Sequence, residues 1–296
     1  MYLSCASNMP GKIPLVQKLP RYLATLRQSV YSEQEISQLI EDYAKAINDP
    51  CDAASEIYLQ YLVEKGAIRQ IVITGERRNM KRYLAKTDIS LAEIACSLQS
   101  GGYLSHLAAA YIHQLTNCEP TVICVSKEGS KRETDSEDLD QEDIDAAFQK
   151  AQRQSSAHVQ WENHHFQLLS GSYADGAGIE QRKSFSLTSI ERTLIDLTVR
   201  PTYGLGAANI LEIYEKAIPT LHMDNIFALL EILAYRYPYH QSIGFYLSQA
   251  GYSNQKELNR LRKMGMKHAF YLDYEMTDPV YSDEWNIYFP QALIAD

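Results

Sequence analysis

Residues 68–86 read Ile68-Arg-Gln-Ile-Val-Ile-Thr-Gly75-Glu-Arg77-Arg78-Asn-Met-Lys81-Arg82-Tyr-Leu-Ala-Lys86. Two runs rich in β-branched and aromatic residues, Ile68–Thr74 and Lys81–Lys86, flank a polar connection, and this spacing predicts a hairpin. Upstream, Ile36, Leu39, Ile40, Tyr43 and Ile47 recur at helical spacing behind Ser32, a plausible N-cap. A second helix is expected after Asp52 as cap, with Ile57, Tyr58, Tyr61 and Leu62 on one stripe and Gly66 just past its end. Helices followed by a hairpin are the order of a winged helix-turn-helix.

The hairpin concentrates positive charge. Arg69, Arg77, Arg78, Lys81, Arg82 and Lys86 are opposed within it only by Glu76. Such a wing can grip phosphates by charge neutralisation, which gives sequence-independent, salt-sensitive affinity. The competing reading is a charged edge that blocks unwanted strand pairing. The helix that would read bases opens with Asp52-Ala-Ala-Ser-Glu56, and two acids there oppose phosphate.

The full chain has 296 residues and a net charge of −9, against a protein that coats nucleic acid. The charge is uneven: residues 1–132 carry 15 Lys/Arg and 13 Asp/Glu (+2), the remainder 13 and 24 (−11). A near-neutral head on an acidic body fits a DNA-binding part and a partner-binding part. No apolar run is long enough for a membrane helix. The first twenty residues lack the apolar core of a signal peptide, and Pro10, Pro14 and Pro20 are expected to exclude a helix there. Cys5, Cys51, Cys96, Cys118 and Cys124 form no CxxC pair. Reduced thiols and a cytosolic protein without metal or cofactor are expected.

Beyond the hairpin, Ser90-Leu-Ala-Glu93 is a capping box. An Ala-rich helix is expected over Leu104–Leu115 and a strand over Thr121–Val125, then a solvated acidic loop over 126–143. Extended pieces are expected at Val159–Glu162, Phe166–Leu169 and Phe185–Leu187. Helices follow near Ser189–Val199, Ala207–Ala217, Asp224–Tyr235 and His240–Ala250, with a late strand around Ala269–Leu272. The fold class expected is α+β: an extension (1–20), a winged-helix-like domain (21–88) and a larger mixed α/β domain (89–296).

Within the larger part, Thr188-Ser-Ile-Glu191-Arg192-Thr-Leu-Ile-Asp196 is the most informative stretch. Thr188 and Glu191 are spaced as a capping box, and Arg192 and Asp196 as an i, i+4 ion pair. An acid–base role for Glu191 and Asp196 competes with these structural ones. His106 and His113 stand two helical turns apart beside Ser105, but a zinc site asks for closer spacing and more ligands. His164-His165 fits a turn, and Gly176-Ala-Gly178 lacks the context of a dinucleotide site. No P-loop, HExxH or GxSxG is present. Of the 21 tyrosines, those in 235–252 and 271–288 stack on bases, form an interface or pack internally, the last being favoured.

Gly102-Tyr-Leu-Ser105-His106-Leu-Ala-Ala-Ala-Tyr-Ile-His113-Gln-Leu-Thr116, then Glu191-Arg192-Thr-Leu-Ile-Asp196-Leu-Thr-Val-Arg200-Pro-Thr-Tyr-Gly-Leu-Gly206, resembles the AbiEi antitoxin family. Tyr237-Pro-Tyr-His-Gln-Ser-Ile-Gly-Phe-Tyr-Leu247, Gly251-Tyr252, Trp285 and Pro290 continue the likeness in order, so that it spans roughly 90–290. It implies an antitoxin of a phage-defence (abortive infection) system, encoded beside a nucleotidyltransferase-like toxin. It further implies an N-terminal winged helix binding inverted repeats in the system's own promoter, and a non-enzymatic C-terminal antitoxic domain that need not form a stable complex with the toxin. The rival readings are a protein-binding adaptor with a degenerate winged helix, and a metal-dependent nuclease built on C-terminal carboxylates such as Asp196.

Overall fold

The computed structural model describes residues 13–47, 55–130 and 139–294. The chain begins with α1 (Ile13–Thr25), β1 (Val30–Ser32), α2 (Glu33–Ala46), α3 (Ser55–Glu64), β2 (Arg69–Gly75) and β3 (Met80–Leu84). Ser32 opens α2 through a reciprocal capping box: its Oγ accepts from the Glu35 amide, and the Glu35 carboxylate accepts from the Ser32 amide. Ile36, Ile40 and Ala44 form the buried stripe of that helix. The three strands are antiparallel in the order β1-β3-β2. Leu19, Leu23, Ile36, Ile40, Tyr58, Leu62 and Tyr83 belong to one apolar cluster of this part.

One expectation changes here. The prolines do not exclude a helix, because α1 runs through Pro14 and Pro20, and its Leu19 and Leu23 are fully buried. Pro14 lies in the first turn, where the amide has no helical partner. Pro20 removes one internal bond, a loss that the buried leucines offset. The Asp52 cap lies outside the described residues, as do Pro10, Cys5 and Cys51, whereas Ser55 and Glu56 open α3, with Glu56 in its first turn.

The hairpin continues into the body. The large sheet has nine strands in the order β1-β3-β2-β6-β7-β5-β4-β9-β8. Its later members are β4 (Tyr103–Leu104), β5 (Val122–Glu128), β6 (His158–Trp161), β7 (His164–Gly171), β8 (Ile179–Gln181) and β9 (Ser186–Thr188). Thr74 and Gly75 pair with Gln160 and Val159, so the sheet crosses residue 88. Gly75 is required at that junction: a Cβ would stand 2.7 Å from the Arg78 carbonyl oxygen and 3.3 Å from the Val159 side chain. Pairing is antiparallel except for β5 with β7 and β4 with β9. A second apolar cluster joins Val30, Ile71, Ile73 and Leu84 of the first part to Ile94, Ala109, Val125 and Phe166 of the second.

Two short helices, α4 (Leu91–Cys96) and α5 (His106–Ile112), serve that cluster. Ser90 and Glu93 make the expected capping box of α4. The expected helix over Leu104–Leu115 is shorter, because Tyr103 and Leu104 pair with Ser126 and Val125 as β4. Part of the expected acidic loop is ordered differently: β5 extends to Glu128, and α6 (Gln141–Phe148) starts on the Asp140 cap.

The helical body comprises α7 (Ile190–Val199), α8 (Ala207–Ala217), α9 (Met223–Leu233), α10 (Tyr239–Gln249) and α11 (Gln255–Arg262). A small sheet, β10 (Phe270–Tyr271), β12 (Ile287–Pro290) and β11 (Pro279–Ser282) in that order, closes it. Helix α7 is the hub, buried from Glu191 through Thr198 and in contact with α5, α8, α9 and α10. Its start differs from expectation. Ser189 is the cap, accepting from the Arg192 amide, while Thr188 ends β9 with its hydroxyl on Thr193. Glu191 turns away and accepts from the His222 amide at 3.1 Å. Strand pairing of Thr188 has shifted the helix boundary by one residue. Most tyrosines of the C-terminal stretches pack internally: Tyr246 stacks on Tyr214, and Tyr271 and Tyr274 on Phe148.

Candidate functional site

The six cations of the hairpin differ in exposure. Arg69, Arg77, Arg78 and Lys81 are exposed, Lys81 lying 3.6 Å from Glu33 of α2. Arg82 faces inward opposite Ile71, beside buried Leu84. Its Nε donates to the Ser97 carbonyl at 2.9 Å, Nη1 to Lys81 at 2.8 Å and Nη2 to Leu98 at 3.4 Å. It thereby satisfies carbonyls at the C-terminal end of α4, and the expectation of a phosphate contact is corrected. Parity alone does not single it out: Arg82 shares parity with the inward-facing Leu84, but Arg69 shares it with the inward-facing Ile71 and Ile73 and is exposed. Lys86 is diverted too, its ammonium donating to the Leu26 carbonyl at 2.7 Å.

The second constellation is polar and enclosed. Of the residues read as motif residues, His106, Arg192, Asp196 and Arg200 line a cavity of about 50 Å³ where β4, α5, β7 and α7 meet, and Ser105 is bonded to His106 from outside that lining. Glu191, read with them, is on the other side of α7, at His222. Arg192 Nε donates to Asp196 Oδ1 at 2.9 Å, and Nη1 to the Ala177 carbonyl at 3.0 Å. The Arg192 side chain is 1% exposed. Gly178 passes directly over it: a Cβ there would stand 2.8 Å from Arg192 Cβ. The Gly176–Gly178 turn is therefore a clamp on Arg192.

His106 Nδ1 pairs with Ser105 Oγ at 2.8 Å, which in turn pairs with Ser126 Oγ at 2.7 Å. Its ring meets Tyr203 edge-on. The backbone at His106 is left-handed, φ +54°, a conformation that costs energy for a residue with a Cβ. His113 is separate, its Nε2–H donating to the Thr188 carbonyl at 2.7 Å. Among the described residues no group of three His, Cys, Asp or Glu could hold a metal ion. Ser105 is fully buried and its hydroxyl is engaged on both sides. Sequence reasoning missed Tyr103 and Tyr235 as wall residues of this cavity, because nothing in their local pattern separates a cavity tyrosine from a core one.

Burial pushes His106 down to about 4, against a small opposing pull from Asp196. A folded-state pKa below the unfolded value means that the unfolded chain binds the proton first. Stability is therefore complete above about pH 6.5 and is lost as pH falls toward 4. The loss attributable to this residue is about 3 kcal/mol. Denaturant titrations of wild type and His106→Gln at pH 7 and pH 4.5 test this, since His240, also lowered by burial, contributes equally to both proteins. A wild-type pH dependence no steeper than that of the variant overturns it.

The described fold is mixed α/β with one large curled sheet. No family model matches the chain, and neither does any curated protein. Among solved structures it is similar to the crystal structure of the RV2827C protein from Mycobacterium tuberculosis, with 13% identity and a TM-score of 0.54 over 95% of this chain and 92% of that one. The likeness concerns the fold alone. No described helix is long and apolar enough to cross a membrane.

Proposed function

We propose that the chain is a DNA-binding autorepressor serving as the antitoxin of a two-gene toxin–antitoxin system. The observation that carries the reading is the exposed cationic set Arg69, Arg77, Arg78 and Lys81 on a unit ordered α1-β1-α2-α3-β2-β3 with sheet order β1-β3-β2. We read that order as a winged helix, with the β2–β3 hairpin as the wing. Exposed guanidinium groups at a wing tip suit the phosphate backbone, where Arg is the better fork-shaped donor. The partner on this reading is promoter DNA carrying inverted repeats. The antitoxic counterpart is a nucleotidyltransferase-like toxin, addressed by the C-terminal body. Support for the second half is the family resemblance, whose residues His106, Arg192, Asp196 and Arg200 share one cavity wall, with Ser105 bonded to His106. No catalytic step is assigned.

The test is a salt titration of promoter-DNA binding. Arg77→Ala/Arg78→Ala is expected to lower the slope of log K against log salt by about 2, roughly 0.9 for each phosphate that is no longer neutralised. Arg82→Ala is the internal control: it removes three hydrogen bonds to carbonyls, costs about 1.5–3 kcal/mol of stability in urea, and leaves the slope of the folded protein unchanged. An unchanged slope in the Arg77/Arg78 variant removes the wing from the DNA interface. For the antitoxin half, co-expression with the adjacent toxin gene must restore growth.

A further inference from the structure

We propose that the cavity bounded by Tyr103, His106, Arg192 and Arg200 is a binding site for one phosphate-sized oxyanion, taken up free or as the terminal group of a monoester. This goes beyond the DNA and antitoxin readings and depends on neither.

The wall is supplied with donors that the protein itself does not use. Arg192 spends Nε and Nη1 on Asp196 and Ala177, while its Nη2 has no hydrogen-bond partner among the described residues. Nη2 and the Tyr103 hydroxyl both flank Gly171, where a Cβ would stand 3.9 Å and 3.2 Å from them respectively. The missing side chain at 171 keeps that space open. The Tyr103 hydroxyl is likewise unpartnered among the described residues, as is the guanidinium of half-buried Arg200, which lines the same cavity. If Ser126 and Ser105 donate in series toward His106 Nδ1, the imidazole is left as the Nε2–H tautomer, one more donor with no partner among the described residues.

Charge points the same way. Two guanidinium groups and one carboxylate line the cavity, leaving one positive charge in excess. Glu128, the other carboxylate near Tyr103, is occupied by the amides of Ala174 and Gly176. Asp196 is the single repulsive group, and it is tied by Arg192. An excess charge in a partly enclosed site is unfavourable unless a counter-charge enters. Fork-shaped Arg donors with flanking hydroxyls match a tetrahedral oxyanion better than a spherical halide. The volume, room for about three waters, suits one such group and excludes a bulky ligand body, which would have to remain outside the mouth.

Calorimetric titration of the full chain tests the proposal, with inorganic phosphate as the first probe and adenosine monophosphate as the second. Saturable phosphate binding is expected, weakened at least about tenfold by Arg200→Gln and to a smaller extent by Tyr103→Phe. Arg200→Lys, which keeps the charge, is expected to fall between wild type and Arg200→Gln. Arg77→Gln/Arg78→Gln is expected to bind phosphate as wild type does. Arg200 donates no side-chain hydrogen bond within the described fold, so Arg200→Gln is expected to stay folded, and its thermal transition checks this. Binding of both probes assigns the monoester form, and binding of phosphate alone assigns the free ion. Absence of saturable binding, binding indifferent to Arg200→Gln, or binding that disappears with the hairpin arginines overturns the proposal.

Discussion

Asp196→Ala is expected to destabilise the protein by about 3–5 kcal/mol, the usual cost of stripping one partner from a buried ion pair. The pair is buried on both sides, with Arg192 1% and Asp196 10% exposed at 2.9 Å. Without the carboxylate, the guanidinium keeps only the Ala177 carbonyl, while Gly178 packs over the stem of its side chain. The damage reaches further than one ion pair, since α7 touches four other helices. Replacing both partners by apolar residues, Arg192→Met/Asp196→Leu, is expected to recover a large part of the loss, because no uncompensated charge remains. Guanidinium chloride denaturation of wild type and the two variants distinguishes this from a simple packing defect. If the double variant is less stable than Asp196→Ala, the charge argument is wrong.

Gly244→Ala is expected to cost about 3 kcal/mol or more, the upper end of overpacking effects. Glycine inside a helix is ordinarily worse than alanine by about 1 kcal/mol, so at an unconstrained position the sign would be opposite. Here a Cβ would collide with the six-membered ring of Trp285. That indole is 1% exposed, fixed by its Nε1 on Ser248 Oγ at 3.0 Å and covered by the Arg262 guanidinium. Residue 285 is further held through its backbone carbonyl by Gln241 Nε2. Neither helix α10 nor the ring can yield without breaking these interactions. Trp285→Phe shortens the ring, so the double variant Gly244→Ala/Trp285→Phe is expected to be less destabilised than the sum of the two single changes, by at least about 1 kcal/mol. Strict additivity would show that the indole is not what excludes the methyl group.

Both sites show where local sequence spacing carries information and where it stops. The Arg192–Asp196 pair is visible as an i, i+4 spacing, because residues four apart lie on one helix face whatever surrounds them. Its burial is not visible. Nor is the Gly244–Trp285 contact, which joins positions forty-one residues apart. Glycine in a helix reads as a weakness until its neighbour is known. Arg82 is a case between these: alternation placed it with the inward residues, yet its charge suggested the surface, and burial won because three carbonyls were waiting for it.

Capping boxes divide in the same way. Ser90 with Glu93 forms as its spacing indicates. Thr188 with Glu191 has the same spacing and does not, because β9 claims Thr188 and the His222 amide claims Glu191. A local signal prevails only when no long-range partner competes for the same atoms. Pro20 makes the converse point, since apolar burial of its neighbours holds a helix that backbone chemistry alone disfavours.

Local sequence suffices for whatever depends on residues within about one helical turn or one hairpin: the α2 cap, the α4 capping box, the hairpin and the i, i+4 pair. The helices at Ala207–Ala217 and Tyr239–Gln249 are legible for the same reason. Tertiary packing, by contrast, makes the hairpin continuous with a nine-stranded sheet. It also spends two of the six hairpin cations on carbonyls, and brings residues from Tyr103 to Tyr235 around one cavity. Those outcomes rest on strand pairing and burial between segments far apart in the chain, and their energies come from desolvation and shared partners, which no local spacing encodes.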